Sequence, residues 1–168
     1  VIIIEKSASK NIKSLLDFYV NNSKPGEKSQ YVILQEYVAG AEKGDVRVLM
    51  LNGEPIASIR RVPSSGDVRS NVSAGGSVQK YKLTKEEVKF CRKIGEKLVR
   101  DGLYFTGLDI INGKLIEVNV MSPVALTEYN MLNKTRIQVP IIDFIENTVL
   151  EKNRARKRKS DMDSMLEG

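Results

Sequence analysis

The chain has 168 residues, 41% of them hydrophobic and 29% charged, enough apolar material for one packed domain and too much for a disordered one. It has no histidine and a single cysteine. That excludes Ser-His-Asp and Cys-His catalysis, an internal disulfide and most transition-metal sites. Any metal held by these side chains is a hard ion bound through oxygen, such as Mg2+, Mn2+ or Ca2+. The net charge is +6, and no apolar run approaches the roughly 20 residues of a membrane span.

The chain opens on VIII, without a methionine, a charged leader or a cleavage site. This reads as a start inside a strand, with a segment expected upstream. Residues 9–22 (SKNIKSLLDFYVNN) place Ile12, Leu15, Leu16 and Tyr19 at helical spacing. Residues 31–38 (YVILQEYV) are nearly continuous in β-forming apolar residues and predict a well-buried strand. VRVLML and IASIRRV flank Asn52-Gly53, a hairpin signal. Residues 63–77 (PSSGDVRSNVSAGGS) have no period and read as a long loop of the kind that closes over a reaction.

A helix is predicted from Thr84, which forms a capping box with Glu87, to a stop at Gly102. Its apolar stripe is Val88, Cys91, Ile94 and Leu98, so Cys91 reads as a buried thiol. An unpaired cysteine favours a reducing compartment, here the cytoplasm. A second hairpin spans LDIINGKLIEVNV. Ser122 is expected to cap a helix with Pro123 in its first turn. A last helix is predicted from near Pro140, with Ile141, Phe144, Ile145 and Val149 facing inward. Hairpins alternating with helices predict an α+β fold with an antiparallel sheet and flanking helices. No internal repeat is evident. Residues 1–150 form the expected domain and 151–168 a tail. The tail's run of basic residues, from Lys152 to Lys159, reads as a solvated helix end, where cations suit the helix dipole.

The second hairpin carries the chemistry. Leu108, Ile110, Ile116, Val118 and Val120 are apolar, whereas Asp109, Glu117 and Asn119 take alternate positions. A strict two-residue turn would pair 109 with 116 and mix the faces. One extra residue pairs 109 with 117 and 110 with 116, which gathers the two acids and the amide on one side. Opposed residues have Cβ atoms about 4.5–5.5 Å apart, so the acids repel unless a cation or proton lies between them. Three oxygen donors on a rigid face suit Mg2+, which commonly also grips substrate phosphates. Arg47, Arg60, Arg61 and Arg69 are the candidate phosphate partners. Neither GxxxxGK nor GxGxxG occurs.

The segments QEYVAGAEKGDVRVLMLNGEPIASIRRVPSSGDVRSNVSAGG and GLYFTGLDIINGKLIEVNVMSP together resemble the C-terminal half of the bacterial glutathione synthetases, ATP-grasp ligases, over about residues 30–148. The resemblance implies ATP as co-substrate, Mg2+ or Mn2+ as cofactor, and γ-glutamylcysteine and glycine as substrates. It implies an acyl phosphate on the peptide carboxylate, attacked by the glycine amine. It assigns Asp109, Glu117 and Asn119 to metal binding, Glu36, Tyr37 and Val38 to the adenine hinge, and Asp45 to the ribose end. It aims Arg61 at the transferred phosphate and places Arg69 and Asn71 in a mobile loop that Gly75 and Gly76 let fold tightly. It sets Ser122 and Pro123 at the acceptor end.

Two positions depart from the family pattern, Met121 where threonine is usual and Thr127 near a usual arginine. They leave the acceptor open, and a ligase for another amino acid or peptide is an alternative. A third reading is a non-catalytic basic nucleic-acid-binding domain. On the ligase reading the partners are small molecules, with neither a membrane nor nucleic acid expected, and the full enzyme is expected to be a homo-oligomer. The isolated 168-residue chain is expected to turn over no ATP, because the family's phosphate-gripping loop and substrate domain lie upstream of it.

Overall fold

Two Asn-Gly turns organise the sheet. Asn52 and Gly53 have φ of 49° and 83°, and Asn112 and Gly113 have 47° and 74°. Positive φ at both central residues gives the turn whose twist matches paired strands, and Asn-Gly tolerates it best. The first turn joins β1 (Asp45–Leu51) to β2 (Glu54–Val62), and the second joins β4 (Phe105–Ile111) to β5 (Lys114–Asn119). With β3 (Ser77–Lys80) they form one antiparallel sheet in the order β3-β2-β1-β4-β5. The structure, a computed structural model, describes residues 4, 10–21, 31–64 and 76–166.

The hairpins are twins. In the first, Met50 pairs with Pro55 but Leu49 with Ala57, so Ile56 is an extra residue. In the second, Ile110 pairs with Leu115 but Asp109 with Glu117, so Ile116 is extra. Each bulge lies the same distance past its turn. β1 and β4 pair at Val48 and Leu108, which makes the four strands two-fold symmetric about that pair. Turn and bulge geometry repeat while the side chains diverge. The expected pairing of Ile110 with Ile116 is corrected. A tight two-residue turn fixes 110 against 115, and the bulge restores 109 against 117.

β1 is buried along its whole length. Val46, Val48 and Met50 pack with Leu108, Ile110, Cys91 and Leu98 beneath α2 (Lys85–Arg100). The Thr84–Glu87 capping box forms in both directions, at 3.1 and 2.8 Å. Helix and first hairpin touch at two glycines. A Cβ on Gly95 would lie 2.2 Å from the Gly53 carbonyl oxygen. On the other face, Leu49 and Ala57 pack with Ile137, supported by Leu126 and Tyr129 of α3 (Leu126–Asn133).

Other expectations are corrected. Residues 31–38 form no strand, and residues 31–37 are exposed, Tyr31 fully so. A strand is buried only when a ladder partner lies beside it, and none of the described residues pairs with this one. Ser122 caps no helix. α3 starts three residues later than expected, after Ala125, which is buried at φ 104° and has no side-chain cap to offer. α1 (Ile12–Asn21) is shorter than the predicted helix. α4 (Gln138–Leu166) runs far past its expected end, and Ile145 and Val149 are exposed rather than inward. Only Ile141 on this helix is buried. Among the described residues no helix is long and apolar enough to cross a membrane.

Burial pushes the Cys91 thiol up to about 11. We expect Cys91 to resist alkylation at pH 8 in the folded chain and to react promptly in denaturant, and equal rates by mass spectrometry would refute its burial. Gly95→Ala drives a methyl into backbone and should cost on the order of 1–3 kcal/mol. An unchanged urea midpoint would show that α2 does not cross the turn so closely.

Candidate active site

On the face away from α2, four charges lie across three strands. Arg47 and Asp109 are direct cross-strand partners, and so are Asp45 and Arg61. Arg47 Nε donates to Asp109 Oδ1, and its Nη2 donates to Oδ2 at 2.8 Å. Arg61 Nε donates to Asp45 Oδ1 at 2.8 Å, while its Nη2 pairs with Asp45 Oδ2 and, at 2.9 Å, with Asp109 Oδ2. All four residues are at most 7% exposed. Burial pulls the Arg61 guanidinium down, but the hydrogen bond it donates to Asp45 and the charges of Asp109 and Asp45 outweigh it and leave Arg61 above the ordinary arginine value.

The row continues onto β5. Glu117, opposite Asp109, is exposed, and Asn119 Nδ2 approaches Asp109 Oδ2 at 3.4 Å. Asp109, Glu117 and Asn119 therefore share one face. Glu117 has no ion-pair partner among the described residues.

The remaining candidates scatter around this centre. Glu36 and Tyr37 are exposed and Val38 half-buried. The Tyr37 hydroxyl donates to Glu42 at 3.4 Å, and that carboxylate also accepts the Gly40 amide at 3.0 Å. Asp45 lies inside the charged network, its carboxylate turned to Arg61. Gly76 is half-buried just before β3, Ser122 exposed and Pro123 half-buried after β5. Arg69, Asn71 and Gly75 lie outside the described residues.

Residues 1–134 match the family model described as prokaryotic glutathione synthetase, ATP-grasp domain. The chain belongs to that family. It is similar to the glutathione synthetase of Thermosynechococcus vestitus, 38% identical over 136 residues, which is 81% of this chain and 41% of that one. It is similar to those of Nostoc, 40% over 122 residues covering 73% and 38%, and of Agrobacterium fabrum, 40% over 114 residues covering 68% and 36%. The chain thus spans about two-fifths of the length of these relatives.

In this ATP-grasp chain Asp109, Glu117 and Asn119 carry oxygens of the kind a hard divalent ion takes, with both Asp109 oxygens also engaged by Arg47 and Arg61. Asp109 and Glu117 oppose each other across one strand pair, and Asn119 adds an amide oxygen. No group of three or more His, Cys, Asp or Glu occurs among the described residues. The set is at most an incomplete cage for such an ion.

Sequence reasoning gave Arg47 no role beyond a candidate cation. Strand alternation carried the signal, because Asp45 and Arg47 must share a face. The structure shows Arg47 buried, holding Asp109, with its Nη1 lacking any partner among the described residues. A Cβ at Gly107 would stand 3.5 Å from that nitrogen, so this glycine keeps the space beside it open.

A cleft of about 510 Å3 lies on the α2 side, bounded by Gly40, Lys43, Arg60, Tyr81, Glu87 and Asn112. The charged network lies on the opposite face of the sheet. In the cleft, Arg60 stacks on Tyr81 at 4.8 Å and the Tyr81 hydroxyl donates to Glu87 at 2.8 Å, so these groups are spent on one another.

Removing one partner of a buried pair strands the other. Arg47→Met should destabilise the chain by on the order of 3 kcal/mol, and Arg47→Met with Asp109→Leu by clearly less than the sum of the singles. Strict additivity in urea unfolding would show that the two do not interact.

Proposed function

We propose that this chain serves the ATP-dependent ligation of glycine to γ-glutamylcysteine through an acyl phosphate. One observation carries the reading: Asp109 and Glu117 face each other across β4 and β5, beside two buried arginines. Asp109, Glu117 and Asn119 hold Mg2+ in this reading, and the ion supplies charge neutralisation for nucleotide phosphates. The relatives are named glutathione synthetases, and γ-glutamylcysteine and glycine are the substrate pair that the resemblance in sequence implies.

The chain's own residues bind and orient. Glu36, Tyr37 and Val38 meet the adenine in this reading, and Asp45 lies toward the ribose end. Arg61 and Arg69 offer guanidiniums to the phosphoryl oxygens, where planar donors match the charge that spreads during transfer. Arg47 keeps the Asp109 carboxylate fixed against the sheet. Asn71, Gly75 and Gly76 belong to a loop that closes over the nucleotide and peptide, and Ser122 and Pro123 border the acceptor. No proton-relaying histidine is needed, because positioning and charge neutralisation do most of the work. The site is proposed to act in the cytoplasm.

A second reading is a sister ligase with a different acceptor. Met121 favours it, standing 95% exposed between Asn119 and Ser122, where an apolar side chain alters what the acceptor end can hold.

The test is phosphate release by a full-length enzyme carrying this chain, given ATP, γ-glutamylcysteine and a panel of amino acids. Turnover with glycine alone is expected, and turnover with another amino acid in its place would move the assignment to the sister ligase. Asp109→Asn should lower kcat at least a hundredfold, the scale of losing one charge-stabilising group in a transition state. Retained kcat would remove Asp109 from the chemistry.

A further inference from the structure

The cations near the C-terminus do not sit where a helix end would welcome them. Lys152, Arg154, Arg156, Lys157, Arg158 and Lys159 were expected to close a helix, but α4 continues to Leu166 and its last turn has no basic residue. The dipole's benefit fades within one turn, so it does not reach these side chains. All six are exposed. None forms an ion pair with a described residue, and Lys152 alone touches the body, 5.9 Å over the Tyr104 ring. They amount to the whole net charge of +6, so the rest of the chain is neutral.

Like charges spaced three and four apart on a helix repel. Lys152, Arg156 and Lys159 form one such row, and Arg154 with Lys157 and Arg158 another on the opposite side. The stretch lies beyond residue 134, where the family match ends, and outside the site described above.

We infer that the exposed half of α4 is a docking surface for the phosphate backbone of duplex nucleic acid. Positive charge on two sides suits a helix lying in a groove between two phosphate rows. An α-helix with side chains is about 10–12 Å across, and the major groove of DNA is about 12 Å wide. A lipid surface fits less well, because a helix at a membrane interface needs an apolar face to bury. Between Glu151 and Asp161 the only apolar side chain is that of Ala155. The contact is to phosphates and carries no sequence preference. It is independent of the ligase reading.

The test is fluorescence anisotropy of a labelled 20-base-pair DNA duplex of arbitrary sequence titrated with the 168-residue chain. With six phosphate contacts, log K should fall against log salt with a slope of about −5, roughly a thousandfold between 50 and 200 mM. The combined variant Arg154→Gln, Arg156→Gln, Lys157→Gln and Arg158→Gln should bind about a hundredfold more weakly with an unchanged melting temperature. A chain ending at Glu151 should also lose binding, which covers the case in which the variant is poorly folded. Binding that survives both changes, a slope shallower than −2, or equal affinity for phosphatidylserine vesicles would each overturn the proposal.

Discussion

The site depends on Asp109 being gripped by two arginines inside the sheet. Charges this deeply buried lose their hydration, and only close, hydrogen-bonded partners offset that loss. Both ion pairs are direct cross-strand neighbours, so the network fixes the alignment of β2, β1 and β4. Slipping β1 by one residue would turn Arg47 toward Cys91 and Leu98 and expose Val46 and Val48. Buried ion pairs are weak contributors to net stability, but here they hold the carboxylate in one place on a rigid surface.

The twin hairpins show how one backbone device serves two ends. In the first hairpin the bulge at Ile56 sets Ala57 against Leu49, and both are covered by Ile137. In the second, the bulge at Ile116 sets the exposed Glu117 against the buried Asp109. Backbone geometry is shared, and side-chain identity decides whether the face packs or does chemistry. Gly107, the counterpart of Arg47 under the symmetry, leaves room for the guanidinium that Arg47 sends across it.

Local chemistry was legible in the sequence where the determinants are local. Asn-Gly turns, the Thr84–Glu87 box, the Cys91 stripe and the alternation around Asp109 all rest on residues within a few positions of each other. The 109–117 pairing could be deduced because only one register sorts polar from apolar. Features that depend on distant partners were not legible. Residues 31–38 carry the composition of a buried strand, but composition does not supply a neighbour. The start of α3 is set by the buried, left-handed Ala125 rather than by Ser122 and Pro123. Arg47 could be placed on the right face, but its bond to Asp109 required the β1–β4 pairing, between strands more than fifty residues apart in sequence.

α4 shows the same division within one element. Its first turns are held by Ile141 in the core and by Phe144, whose ring lies 6.0 Å from that of Tyr104. Lys152 sets its ammonium 5.9 Å from the ring of the same tyrosine. From Glu151 to Leu166 every residue is exposed, so tertiary burial no longer supports the helix. Intrinsic propensity remains, supplied by Lys, Arg, Glu, Met and Leu, against repulsion among six cations. A helix in that balance gains more from an external row of anions than one already neutralised along its own surface. Its cationic stretch is therefore the least self-sufficient part of α4.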